Sequence, residues 1–160
     1  MQPRTTTDTS IAGKPVPSFV DTSAWVAVKD RREKHHAAAV AYLGDLAGRQ
    51  EQLVTTDFIL DETYTLLLYD VGYEVTVQFK REIDLLFAKQ TLDIIHVGPA
   101  IQAEAWTVFE RFNRDKAWSF TDCTSYVVTR THRLTECFGF DEDSAQMGFV
   151  VCPRRPEPRA

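Results

Sequence analysis

Ser18–Phe19–Val20–Asp21–Thr22–Ser23–Ala24–Trp25–Val26–Ala27–Val28 is the stretch that orients the whole chain. Three residues of strand character run straight into an acid. Two hydroxyl residues suited to opening a helix follow, and then an apolar run. The triplet Asp-Thr-Ser also occurs at Asp8–Thr9–Ser10, without an apolar lead-in. The triplet alone therefore carries nothing. The strand before Asp21 and the helix after it predict a carboxylate held where a strand gives way to a helix.

The same alternation continues outward. Residues 34–47 are Ala-rich and predict a helix, and Leu53–Val54–Thr55 predicts a second short strand. Thr56 and Asp57 offer a cap for a helix to about Asp70, stopped near Gly72. A helix is expected over 73–89, with Val77, Ile83 and Phe87 among its apolar positions, and a β-branched strand over 92–97. Pro99 suits the first turn of a helix reaching Phe112. A further helix is expected over 119–131, and final strands over 136–140 and 148–152. Strands separated by helices predict βαβ units: an α/β fold, with a mainly parallel central sheet covered on both faces. Ligands of such sheets bind beyond the carboxyl ends of the strands.

One domain, 18–152, fits the 160 residues, with 1–17 and 153–160 as polar flexible tails. No apolar run approaches the ~20 residues of a membrane span, and the N-terminus has no secretory apolar core. The scattered Cys123, Cys137 and Cys152 argue against a disulfide framework or a zinc site, and point to a reducing, cytoplasmic setting. The formal net charge is −5, the wrong sign for a protein that grips phosphate by bulk charge. Positive charge does recur locally, at Arg31–Arg32–Glu33–Lys34, at Arg111, Arg114 and Lys116, and at 130–133.

Four acids stand at strand ends or helix starts. Asp21 closes the first strand. Glu62 lies early in an apolar helix, where an unpaired buried acid is costly. Periodicity does not separate it from Asp61. Asp122 lies in Trp118–Ser119–Phe120–Thr121–Asp122–Cys123, where Ser119-x-x-Asp122 resembles a capping box. Asp141 follows the strand-like Cys137–Phe138–Gly139–Phe140, and Asp143 comes two residues later. Each acid alone has a structural explanation, as a cap or turn residue or, for Glu62, as an exposed acid on the polar stripe of its helix. Together, converging from separate strand ends, they would repel one another unless cations held them. Hard divalent ions such as Mg²⁺ or Mn²⁺ suit such oxygen ligands.

Four segments resemble the PIN-domain family, in particular VapC-type toxins: Phe19–Val20–Asp21–Thr22–Ser23–Ala24, Phe58–Ile59–Leu60–Asp61–Glu62–Thr63, Trp118–Ser119–Phe120–Thr121–Asp122–Cys123, and Phe140–Asp141–Glu142–Asp143 with Gly148–Phe149. Their order and spacing match over nearly all of 18–152. The resemblance implies a three-layer α/β/α sandwich and a Mg²⁺- or Mn²⁺-dependent endoribonuclease that hydrolyses RNA through metal-activated water. It makes Asp21, Glu62, Asp122 and Asp141 the catalytic metal-site acids, Glu62 rather than Asp61. It also implies a homodimer and a small antitoxin partner. Arg111, Arg114 and Lys116 are the expected RNA-binding rim, since they immediately precede the Trp118–Asp122 segment.

Rival readings fit less of the chain. A metal-dependent phosphatase wants an acid two residues after its nucleophile, where Ser23 stands. A phospho-receiver wants a Lys near the last strand, and no Lys follows Lys116. A catalytically silent PIN fold acting only as a binding module is the third. His35 and His36 are adjacent and point apart, a poor ligand pair, and His96 and His132 are isolated. Trp25, Trp106 and Trp118 read as core side chains rather than base-stacking platforms, with Trp118 the exception kept open beside Asp122.

Overall fold

The computed structural model describes residues 16–154. Of the two expected tails, only 16–17 and 153–154 fall within this range; the remainder lies outside the described residues. Five strands, β1 (Ser18–Val20), β2 (Leu53–Thr56), β3 (Leu92–Ile95), β4 (Glu136–Phe138) and β5 (Val150–Cys152), form one sheet in the order β3-β2-β1-β4-β5. Every pairing is parallel. The helices are α1 (Thr22–Lys29), α2 (His36–Gly48), α3 (Asp57–Asp70), α4 (Tyr73–Ala88), α5 (Pro99–Phe112), α6 (Phe120–Thr131) and α7 (Glu142–Gln146). The architecture is the expected three-layer α/β/α sandwich.

Coverage of both faces explains why β1 and β2 are buried at every position instead of alternating. The main core joins Phe19, Trp25, Ile59, Phe79, Leu92 and Phe138. A second cluster, Ala105, Trp118, Cys123 and Val127, seals α5 against α6. Trp25 sits against Phe79 with ring centroids 5.6 Å apart, so Trp25→Ala would cost ~3–5 kcal/mol.

At three of the element ends that differ from expectation, a side chain takes a backbone group. The second helix starts at His36, not 34, because Asp30 Oδ1 accepts from the Arg32 N–H at 2.9 Å and turns the chain. β3 stops at Ile95, and the Val97 N–H is given to Asp57 Oδ1 at 2.9 Å. β4 stops at Phe138, and the Phe140 N–H donates to Ser23 Oγ at 2.9 Å. The short α7 was not anticipated. Its cap is Asp141, whose Oδ1 accepts from the Asp143 N–H at 3.1 Å, and it ends at Gly148 with φ +91°.

The strand order sets where a ligand can enter. The chain leaves β1 for β2 and β3 on one side, then returns to lay β4 on the other. The loops after β1 and β4 therefore diverge and open a crevice at their carboxyl ends.

Candidate active site

Asp21 is the first side chain in that crevice. Its N–H donates to the Phe138 carbonyl at 3.0 Å, which ties the end of β1 to β4. It occupies the N-cap position of α1 with extended backbone, yet its carboxylate makes no capping bond. Instead Ser23 Oγ donates to Asp21 Oδ2 at 3.0 Å while accepting from the Phe140 N–H. One hydroxyl thus fixes the acid and the loop after β4 together. Gly139 lets them approach: a Cβ there would lie 3.2 Å from Ser23 Oγ and 3.3 Å from Asp21 Cβ.

The other acids arrive on separate elements. Glu62, in the second turn of α3, accepts from Thr22 Oγ1 at 2.6 Å, a bond from α1 to α3. Asp61 is exposed and lies outside the crevice lining. Asp122 is held by a reciprocal capping box: the Ser119 N–H donates to Asp122 Oδ2 at 2.8 Å, and the Asp122 N–H donates to Ser119 Oγ at 3.0 Å. Asp141 enters as the cap of α7.

All four acids line one open cavity of about 760 Å³, together with Ser119, Asp143, Lys34 and His35. Their charges are felt mutually. Burial, reinforced by the charges of Asp122 and Asp141, raises Asp21 to about 6 against the lowering effect of Ser23 and Thr22. Burial also raises Asp122, with Glu62 and Asp141 adding to it. Asp143 is raised by burial and by Asp141 and Asp122, so it shares the field of the cluster. Lys34 is the one lysine or arginine among the described lining residues. No three of the described acids, His or Cys groups stand close enough together to ligate one ion jointly.

The expected cationic rim lies outside the described lining. Lys116 reaches toward it, Nζ donating to Gln146 Oε1 at 3.3 Å, and Gln146 does line the cavity. Arg111 lies over the Phe112 ring at 5.1 Å, and Arg114 is exposed. Lys34 and His35 were not anticipated as cavity residues. His35 stacks on Phe140 at 4.6 Å, whereas His36 turns away and its Nδ1 meets the Ala27 carbonyl at 2.8 Å. Only the fold brings the turn before α2 onto the loop after β4. The tryptophan reading needs correction. Trp25 and Trp118 are core, but Trp106 is 53% exposed. Its ring lies along the outside of α5, where Nε1 donates to Glu110 Oε1 at 3.2 Å.

The model of the PIN domain family matches residues 18–150. The chain is a PIN-domain protein. A 23S rRNA-specific endonuclease, VapC20 of Mycobacterium tuberculosis, is 29% identical over 139 residues, covering 87% of this chain and 98% of that protein. A VapC ribonuclease of Archaeoglobus fulgidus is 27% identical, covering 73% of this chain and 72% of its own length. Among solved structures, that of M. tuberculosis VapC20, described as a sarcin-ricin loop cleaving toxin, superposes with a TM-score of 0.71 at 28% identity, covering 82% of this chain and 95% of the other. PAE2754 of Pyrobaculum aerophilum shares the fold, with a TM-score of 0.58 at 16% identity over 85% of this chain and 89% of its own. In this PIN domain, no described helix is long and apolar enough to cross a membrane.

Proposed function

We propose that this PIN domain is a divalent-metal-dependent endoribonuclease, the toxin of a toxin–antitoxin pair, and that Asp21, Glu62, Asp122 and Asp141 are its metal-site acids. One observation carries the site: acids from the end of β1, from α3, from α6 and from the loop after β4 meet in one crevice, with Asp21 raised to about 6 by burial and its neighbours' charge. The VapC relatives support the RNA substrate and the toxin role. The donor set is hard oxygen in a field of uncompensated negative charge, which fits Mg²⁺ or Mn²⁺. An ion here would be held by one or two of these carboxylates and keep part of its water shell, as Mg²⁺ does. When bound, it would lower the pKa of water and stabilise the oxyanion leaving from a phosphodiester.

The chain's own residues prepare that chemistry. Ser23 and Thr22 hold Asp21 and Glu62 in place, so neither has to reorganise when substrate arrives. The capping box does the same for Asp122. Lys34, which also lines the cavity, would meet a phosphate oxygen, and Lys116, bonded to Gln146 of the lining, would extend that contact toward the expected rim with Arg111 and Arg114. Dimerisation is supported by exposed apolar residues where α3 meets α4: Leu68 at 47%, Tyr69 at 81% and Tyr73 at 67%. A small antitoxin would silence the cleft by lending it a basic side chain.

The test is cleavage of RNA by purified protein, with Asp122→Asn and excess chelator as separate arms. Cleavage should need divalent metal and fall at least a hundredfold in the variant, on the order of the loss expected for one charge-stabilising group. Full cleavage in chelator would refute the metal mechanism. A folded Asp122→Asn protein that still cleaves would remove these acids from it.

A further inference from the structure

The exposed ring of Trp106 belongs to a continuous aromatic row. Trp106 lies parallel on Phe109, with centroids 5.1 Å apart and planes 7° apart. Phe120 stands 6.2 Å from Trp106, and Phe58 stands 6.4 Å from Phe120. The row joins three helices, α5, α6 and α3, and two of its rings are close in the chain to residues that line the cleft. Phe120 directly follows Ser119, which lines the cavity, and Phe58 is one helical turn before Glu62. Trp25 and Trp118 are 2% and 3% exposed, so Trp106 is the tryptophan that meets solvent.

We propose that Trp106, backed by Phe109 and Phe120, is a stacking platform for an unpaired base of the RNA, next to the scissile bond. This rests on the cleft assignment above. RNA is a polymer, so nucleotides flanking a phosphate in the cleft must cross the adjacent surface, and Phe120 ties the aromatic row to the Ser119–Asp122 segment whose ends line the cleft. The rings already touch one another, so no base fits between them. A base lies on the outer surface of Trp106. The platform also meets a need set by charge. The chain carries −5 and its cleft offers one described lysine, so phosphate attraction is weak. Stacking on an aromatic face supplies affinity without cationic contacts and accepts any base. Single-stranded loops, whose bases are splayed out, are the RNA form that can use it.

The experiment titrates the protein with a single-stranded RNA of about ten nucleotides, a length in the range of such binding sites. Tryptophan emission and RNA anisotropy are followed with Asp122→Asn in chelator, and cleavage kinetics with the active protein. RNA should quench the emission, and Trp106→Phe should abolish the quenching while leaving KM within about threefold, because a phenyl ring still stacks. Trp106→Ala should raise KM about tenfold with kcat nearly unchanged, the pattern of lost uniform binding. RNA that binds without quenching, together with an unchanged KM in Trp106→Ala, overturns the platform and leaves the cleft intact. A change in sedimentation of Trp106→Ala at unchanged KM identifies the face as a protein interface and overturns it equally. Cleavage by Asp122→Asn would move the scissile bond away from this wall, and the platform with it.

Discussion

Asp21 is held in a position that its charge resists. The folded protein binds the proton of this carboxyl more tightly than the unfolded chain does, about 6 against an ordinary 3.8. Its contribution to stability therefore falls as pH rises from about 4 to about 6, and the full cost is present above that window. The shift corresponds to at most about 3 kcal/mol. In chelator, Asp21→Asn should raise the melting temperature at pH 8 and change it little at pH 4, as thermal unfolding at the two pH values would show. Divalent metal should reverse the ranking, since the wild-type carboxylate then gains a partner. An Asp21→Asn protein destabilised at pH 8 in chelator would show that Ser23 and Thr22 already compensate the charge.

The helix starts and strand ends of this fold do the positioning. Ser119 presents Asp122 through a capping box, and Ser23 couples Asp21 to the chain after β4. Ser119→Ala should cost about 1 kcal/mol, a cap's usual worth, yet reduce cleavage disproportionately because Asp122 loses its rigid hold. Comparing denaturant unfolding with kcat in that variant checks this; parallel small losses in both would reduce Ser119 to a helix cap. Gly139 is the corresponding point just after β4. Gly139→Ala places a Cβ against Ser23 Oγ and Asp21 Cβ, and should cost about 1–3 kcal/mol from overpacking while shifting the acid. Weaker Mn²⁺ binding by calorimetry is the expected signature. Unchanged metal affinity would place the strain elsewhere.

Over the molecule as a whole, an acidic chain must hold an anionic polymer by local contacts. The salt dependence of RNA binding should therefore be shallow, about −0.7 in log–log slope for each phosphate neutralised on a single strand. Lys34→Ala should remove about one such unit, whereas Arg111→Ala, whose cation already lies over Phe112, should remove less. Anisotropy titrations across salt concentrations measure both; equal slopes in wild type and Lys34→Ala would take Lys34 out of the RNA contact. Much of this molecule was legible in the order of its residues, because its signals are local. Strand, acid, hydroxyl pair and apolar helix are contiguous at Ser18–Val28, and the caps at Thr56 and Ser119 and the stop at Gly72 act on their immediate neighbours. What local pattern left open was which side of each element would face the crevice. Asp61 and Glu62 have equivalent apolar neighbours along the chain, and only the packing of α1 on α3, with Thr22 donating to Glu62, separates the exposed acid from the enclosed one. Lys34, His35 and Trp106 follow the same rule. Their surroundings are made by contacts between segments distant in sequence, through the crossover that sets β4 beside β1 and the packing of α5 on α6, and no periodicity along the chain encodes those contacts.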